Sequence, residues 1–382
     1  MNQSKLACGI MSGTSLDGID VVIATISGTG LTTKIEMIAG KTFDYPPMLL
    51  EKVKLAVTDQ LTVKDVSSLH FELGRLYASC VISLCKELKL SPSSLNFIAS
   101  HGQTVYHQSE IEDTRLPSTL QLGSGSVIAG LTETTVVSDF RIADMIQGGQ
   151  GAPLVPYVDY LLLSSSDKSR IAQNIGGISN ITYLPKTKNE HDVYAFDTGP
   201  GNMMINYAME KLYNKPYDDG GQIAKKGQLI LPLYDEIMQH PFVHQMPPKS
   251  CGREQFGGAY TQTLMTKYKN HAPEDIIHTL TVATASTMIS NIKQFILNKH
   301  EVDELIISGG GVHNQFLMNF IQKSLPDIKV LSSDDVGVSS DYKEALAFIV
   351  LGNQTLFQQT ANLPSATGAK KHVVLGTVSY FT

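Results

Sequence analysis

The chain has 382 residues, with a hydrophobic fraction of 42% and a charged fraction of 17%. That leaves enough apolar material for a buried core in each of two domains, and it argues against disorder. A formal net charge of −6 speaks against nonspecific nucleic-acid binding, and no apolar run reaches the ~20 residues of a membrane span. Cys8, Cys80, Cys85 and Cys251 form no CxxC pair, and the first residues lack a signal peptide's long apolar core. A cytoplasmic protein with free thiols, no nucleic acid and no membrane partner is expected.

In chain order, "KLACGIMSG" and "IDVVIATI" read as two strands around the polar turn "GIMSGTSLDGID" (9–20), and "KIEMIAGKTF" as a third. Leu69, Leu73, Leu76, Cys80, Leu84 and Leu88 recur three and four apart, which predicts an amphipathic helix over 67–89. "NFIASHG" (96–102) is a short strand, "GSGSVIAG" (123–130) a helix start, and 153–163 a helix with Pro153 and Pro156 in its first turn. The polar "SSSDKS" (164–169) then separates the halves. "RIAQNIGGISNITYL" (170–184) is a hairpin around Gly-Gly, and "DVYAFDTGPGN" (192–202) a third strand. A helix follows over 276–298, "ELIISGGG" (304–311) is again a strand ending in glycines, and helices start near His313 and Tyr342. The order of elements repeats, so two similar α/β domains are expected, 1–165 and 166–357. A tail, 358–382, holds a possible strand and has no clear domain.

Glycine collects at strand ends, at 9–18, 148–151, 176–177, 199–201 and 309–311. Open α/β sheets bind ligands at such places, where glycine lets backbone N–H groups approach a phosphate. Common fingerprints are absent. "GKT" (40–42) has Ile35 where a phosphate loop needs its first glycine, and it lies in a strand pattern. "GSGSVIAG" fails the dinucleotide spacing. His240 and His244 stand four apart, but Pro241 breaks the helix such a metal pair would need, and no third ligand is near.

Two hairpin-bearing domains with phosphate loops resemble the sugar kinase, Hsp70 and actin superfamily, although Met11 in "MSGTS" stands where that superfamily's first loop has an aspartate. A narrower resemblance accounts for this. "GIMSGTSLDGID", "SHGQT", "SDFRIADMIQGGQGAPLVP", "NIGGISNIT", "FDTGPGNMMIN", "SGGGVHN" and "EALAF" occur in this order and resemble the anhydro-N-acetylmuramic acid kinase family along the whole chain. The resemblance implies two actin-like (ribonuclease H-like) domains with an active-site cleft between them, a homodimer, and ATP with Mg²⁺. It also implies the reaction: the 1,6-anhydro ring of 1,6-anhydro-N-acetylmuramic acid is hydrolysed and O6 phosphorylated during murein recycling. Rival readings are a kinase of a simpler anhydro sugar such as levoglucosan, and an Hsp70-type ATP-driven module, for whose extra substrate domain the length leaves no room.

A 1,6-anhydro sugar has no free 6-hydroxyl, so the base must act on water and the departing O6 must attack the γ-phosphorus. Asp197 matches the family's catalytic aspartate; the bland reading is a turn cap. Glu344 resembles a second acid that holds the water, or is a solvated helix-start glutamate. For the nucleotide, the resemblance points to Gly13, Thr14, Ser15, Leu16, Asp17, Gly18, Ile19 and Asp20, and to Gly176, Gly177, Gly199, Gly309, Gly310 and Gly311. Asp17 and Asp20 are the candidates for hydrated Mg²⁺, or one of them caps the turn. His101, Gln103, Thr104, Arg141, Gln150 and Gly151 are the candidate sugar contacts. Arg141 suits the lactyl carboxylate, since its planar fork binds one bidentately; a structural ion pair with Asp139 or Asp144 is the alternative.

Overall fold

The computed structural model describes residues 4–13, 16, 18–111 and 114–381, in two compact units. Unit 1 takes the chain up to Leu162 and again from Tyr342; unit 2 is Leu163–Asp341.

Unit 1 is built on β1 (Lys5–Ser12), β2 (Ile19–Ser27), β3 (Lys34–Phe43), β4 (Phe97–Gln108), β5 (Ser118–Leu122) and β6 (Val136–Ser138). β1, β2 and β3 form an antiparallel meander, while β1 pairs in parallel with β4 and β4 with β6. β5 folds back antiparallel on β4. Runs such as Val21–Ala24 are fully buried on both faces, because helices cover both sides of the sheet. On one face lies the helix Val63–Glu87, whose Leu69, Leu73, Tyr77 and Val81 pack with Ile10, Val21 and Ile23. It starts at Val63 rather than 67 because Thr62 and Asp65 close a capping box: the Asp65 N–H donates to the Thr62 hydroxyl, and Asp65 accepts from the Thr62 N–H.

The helix Lys343–Leu356 packs on β1, β2 and β4. A Cβ on Gly9 would lie 2.1 Å from the carbonyl oxygen of Ala345, so only glycine lets this helix press so closely on β1. This corrects the sequence order, which grouped the helix with the second half. The first boundary also moves, from 165/166 to 162/163. The tail returns with the helix: the strand Thr377–Ser379 pairs antiparallel with β6.

Unit 2 holds β7 (Arg170–Ile175), β8 (Ile178–Leu184), β9 (Tyr194–Pro200), β10 (Glu304–Ser308) and β11 (Lys329–Ser332). The sheet order is β11-β10-β7-β8-β9, with β7 antiparallel to β8, β8 antiparallel to β9, and β7-β10 and β10-β11 parallel. Order and directions match β6-β4-β1-β2-β3, the ribonuclease H-like arrangement, so the chain carries that fold twice. The helix Pro273–Asn291, continued as a π-helical turn Ile292–Leu297, is buried along most of its length. The hydroxyls of Thr279, Thr281 and Thr287 donate to carbonyls of the preceding turn, and that of Thr284 donates to the Gly201 carbonyl (3.4 Å).

Candidate active site

In unit 2, Asp197 is the central residue of β9, paired across the ladder with Asn180. Its N–H donates to the Lys249 carbonyl (3.1 Å), and its Oδ2 accepts the Cys251 N–H (2.7 Å). The main chain of segment 249–251 thus holds Asp197 at two points, its backbone N–H and one carboxylate oxygen. Oδ1 has no hydrogen-bond partner among the described residues. Burial pushes the carboxyl up to about 6, opposed by the Cys251 N–H and by the Lys249 charge. A carboxylate with that affinity is ionised at neutral pH yet basic enough to take a proton from water.

The glycines fall into two groups. Gly199 (φ +126°) and Gly309 (φ +81°) hold backbone angles that favour glycine, and a Cβ on Gly311 would lie 2.4 Å from the Ile175 side chain. Gly201 must also be glycine, since a Cβ there would lie 2.3 Å from the Gly176 carbonyl oxygen. Gly176, Gly177 and Gly310 have neither a positive φ nor any atom closer than 3.6 Å to a Cβ position. Folding does not require glycine at these three positions, and its presence leaves bare backbone for a ligand. Gly310 lines a cavity of about 430 Å³ with Asn202, Ile205, Tyr217, Asp218 and His313. That volume lies in the ~300–1,000 Å³ range of small-molecule sites.

In unit 1, Thr14, Ser15 and Asp17 of the opening loop lie outside the described residues. Leu16 has φ +60°, and its N–H turns back to the Gly13 carbonyl (3.4 Å). Gly18 abuts Thr42, whose hydroxyl donates to Asp20 (2.6 Å). Ile19 begins β2 with its side chain fully buried, so only its backbone is available to a ligand. Below the loop lies a buried polar frame. The amide of Gln103 donates to the Gly13 carbonyl (3.2 Å) and accepts from the Tyr45 hydroxyl (2.7 Å), and Ser12 bonds Tyr77 (2.7 Å). Gln103 is fully buried, so its position is that of a loop support. Thr104 accepts from Gln121 (3.3 Å).

Arg141 donates to His101 Nε2 from Nη2 (2.8 Å) and Nε (3.3 Å), and to the Gly151 carbonyl from Nη1 (2.7 Å). Burial first, and the guanidinium second, push His101 down to about 3, so the imidazole is neutral. With Nε2 accepting, its proton sits on Nδ1 and points to the Ser12 carbonyl (3.3 Å). Burial lowers Arg141 to about 10, and the Glu344 carboxylate opposes the shift, so the arginine stays charged. Neither Asp139 nor Asp144 lies within ion-pair distance of Arg141 among the described residues. Asp144 is fully buried and accepts from the Gly151 N–H (2.9 Å), Asn362 (2.7 Å) and Thr367 (2.7 Å). Gln150 is exposed, and its N–H donates to the Thr367 carbonyl (2.8 Å). The tail therefore fixes the loop that orients Arg141. Glu344 is exposed in the first turn of its helix.

Magnesium takes oxygen donors and keeps several waters. Asp20 offers a hard carboxylate oxygen, and no group of three or more His, Cys, Asp or Glu side chains suited to a metal occurs among the described residues. This donor set fits a hydrated ion held mainly by nucleotide phosphates, not an all-protein cage.

Lys249 escaped the sequence reading, although a lysine within "MPPKSCG" (246–252), preceded by two prolines, was the available signal. The ribonuclease H-like sheet order, present twice, makes this an actin-like protein, and one of its two sheets carries a buried basic carboxylate on β9. The sequence profile of the anhydro-N-acetylmuramic acid kinases matches residues 5–381, and the chain belongs to that family. It is 50% identical to the anhydro-N-acetylmuramic acid kinase of Francisella tularensis subsp. novicida, over the full length of both. It is 45% identical to that of a Bacillus cereus strain, over 97% of this chain and 98% of the relative. Among solved structures, the activator of 2-hydroxyisocaproyl-CoA dehydratase from Clostridium difficile with bound ADPNP aligns over 92% of this chain and 93% of its own, at 12% identity and a TM-score of 0.41.

Proposed function

We propose that this kinase uses Asp197 to draw a proton from water as the water attacks C1 of 1,6-anhydro-N-acetylmuramic acid. The C1–O6 bond breaks, O6 attacks the γ-phosphorus of ATP, and ADP leaves, giving N-acetylmuramic acid 6-phosphate for murein recycling. The water's second hydrogen remains on the new C1 hydroxyl, and the proton on Asp197 returns to solvent. The observation that carries this reading is the half-bonded Asp197: Cys251 fixes one oxygen and the other is unbonded among the described residues. The glycines at 176, 177 and 310 support binding of the nucleotide by bare backbone.

Arg141 would bind the lactyl carboxylate with the donors left after His101 and Gly151, and Glu344 would steady the attacking water. Mg²⁺, when bound with ATP, neutralises charge on the phosphates, and Asp20 would hold it through water. The reading includes a homodimer in a reducing cytoplasm; four free buried cysteines support the compartment, and sedimentation would test the assembly. No helix among the described residues is long and apolar enough to cross a membrane.

Turnover in ¹⁸O-labelled water tests the mechanism. Label is expected on C1 of the product sugar. Label in phosphate would mean plain ATP hydrolysis, and a substrate-independent rate would sink the kinase reading.

A further inference from the structure

We propose that Asn180 is a catalytic residue of this reaction, its side-chain N–H donating to O6 as the C1–O6 bond breaks and O6 turns to the γ-phosphorus. The proposal rests on the reading above, in which Asp197 is the base.

The sheet of unit 2 sets one row of polar side chains across four strands. Ser308 on β10 pairs with Asn174 on β7, Asn174 with Asn180 on β8, and Asn180 with Asp197 on β9. Side chains alternate along a strand, and Ile175, Ile181 and Phe196 carry the other face into the core, so the row lies on one face. A bulge sets the last pairing: the register shifts between Ser179 and Asn180, with Thr198 as the extra residue of β9. Bulges re-aim side chains, and this one puts Asn180 opposite the base. Thr198 turns to the other face, where its hydroxyl bonds Ser179 (2.6 Å), which in turn bonds Gln173 (2.8 Å).

Asparagine is depleted in strands, and its side chain readily finds a polar neighbour. Asn174 has one, since its Oδ1 accepts the Ser308 hydroxyl (3.5 Å). The carboxamide of Asn180 is half-buried and makes no hydrogen bond among the described residues; only its backbone carbonyl is engaged, by the Gln173 side chain (2.8 Å). Folding thus leaves an unused amide donor beside a carboxylate whose Oδ1 is also unbonded among the described residues.

The order of the row matches the order of the reaction. Beyond Asn174 and Ser308 the chain turns into Gly176, Gly177 and Gly310, the bare backbone proposed for the nucleotide. Asp197 ends the other side, where water meets C1. Neighbouring strands lie ~4.8 Å apart, so Asn180 stands one strand from the base and one from the nucleotide end. O6 likewise stands between C1 and the γ-phosphorus. The C1–O6 electron pair passes to O6, and negative charge builds there until O6 bonds phosphorus and the bond to ADP breaks. The water's proton goes to Asp197. A neutral amide N–H aimed at O6 stabilises that charge and keeps its own proton.

The test is steady-state kinetics of Asn180→Ala and Asn180→Leu, with anhydro sugar and ATP, beside thermal melts. Both lack the donor, and kcat should fall about 10²–10³-fold, as on removal of one oxyanion donor. KM for sugar and ATP should stay within about threefold, because this bond forms only as charge develops. Both variants should melt close to the parent; leucine keeps the branched shape and carries the comparison if alanine does not fold. A kcat close to the parent's in a folded variant overturns the proposal. A raised sugar KM with kcat retained also overturns it and makes Asn180 a ground-state contact. Turnover that persists in Asp197→Asn would instead remove the base assignment beneath it, whatever the Asn180 variants do.

Discussion

Two nitrogens of Arg141 converge on one nitrogen of His101, Nη2 at 2.8 Å and Nε at 3.3 Å, an arrangement that only a neutral imidazole accepts. The histidine therefore orients the guanidinium and adds no charge to it. Because burial holds His101 down to about 3, this orientation is unaffected by pH throughout the working range. His101→Phe removes the acceptor and should raise KM for the lactyl-bearing sugar about 10–100-fold, in keeping with loss of a charge-assisted contact. KM for ATP should stay within about twofold. A sugar lacking the lactyl carboxylate should show little difference between parent and variant. Equal losses on both sugars would remove Arg141 from carboxylate binding.

Asp197→Asn retains the acceptor for the Cys251 N–H but cannot take a proton, so turnover should fall about 10²–10⁴-fold while calorimetry still detects nucleotide binding. Stability should change in the opposite direction. The carboxyl is raised from 3.8 to about 6, so the folded state binds the extra proton. The stabilising contribution of the neutral form is complete below the unfolded value and is lost as pH rises through about 6. At pH 7 the ionised group therefore costs the fold on the order of 2 kcal/mol, and the asparagine variant should melt higher than the parent. The two melting curves should converge near pH 4. A variant less stable at pH 7 would show that the ionised carboxylate supports the fold.

The tail makes a third case. Asn362 donates to buried Asp144, which also holds the Gly151 N–H, and Gly151 in turn receives Arg141. Asn362→Ala removes one of the donors to a fully buried carboxylate and should destabilise by about 1–3 kcal/mol. Sugar KM should rise with it, since the loop carrying Gly151 loosens, while ATP KM holds. Urea melts and the two KM values read this directly; an unchanged sugar KM would separate the tail from the Arg141 loop.

How much of this was legible in the sequence depended on the range of the interaction. The Gly-Gly hairpin of β7 and β8 and the Thr42 strand that carried the decoy "GKT" are local patterns, and the structure has them where the residues put them, whereas Asp197 lies within β9, which runs on through Gly199 to Pro200. What escaped depends on contacts far apart in sequence. The helix Lys343–Leu356 follows the second half of the chain, but its apolar face is complementary to β1, with Gly9 shaped for Ala345. The short strands β5 and β6 lack a period long enough to read, and they exist because β4 offers them edges. Gln103 is polar and follows the strand expected over 96–102, which resembles a ligand contact, but β4 runs on to Gln108 and Gln103 pairs with Leu122 within it. Its burial under Gly13 is set by Tyr45, 58 residues away. Lys249 could not be read because nothing nearby in sequence shows that Phe295 and Asp197 surround it.

The glycines separate ligand binding from folding most sharply. At Gly177 and Gly310 an added methyl meets nothing closer than 3.8 Å and φ is not positive, so alanine should leave stability unchanged or raise it by about 0.4–1 kcal/mol through the unfolded chain. Gly201 and Gly311 are the controls: alanine at either would lie 2.3–2.4 Å from the Gly176 carbonyl oxygen or the Ile175 side chain, and should destabilise by a few kcal/mol, roughly as overpacking does. If the bare backbone at 177 and 310 serves phosphate and nucleoside, Gly177→Ala and Gly310→Ala should raise KM for ATP about tenfold or more while the proteins melt at or above the parent temperature. Folding alone cannot produce that combination, because a purely structural glycine loses stability and affinity together. Thermal melts beside ATP titrations of the four variants decide it, and ATP affinity unchanged at both 177 and 310 would remove these two positions from the nucleotide site.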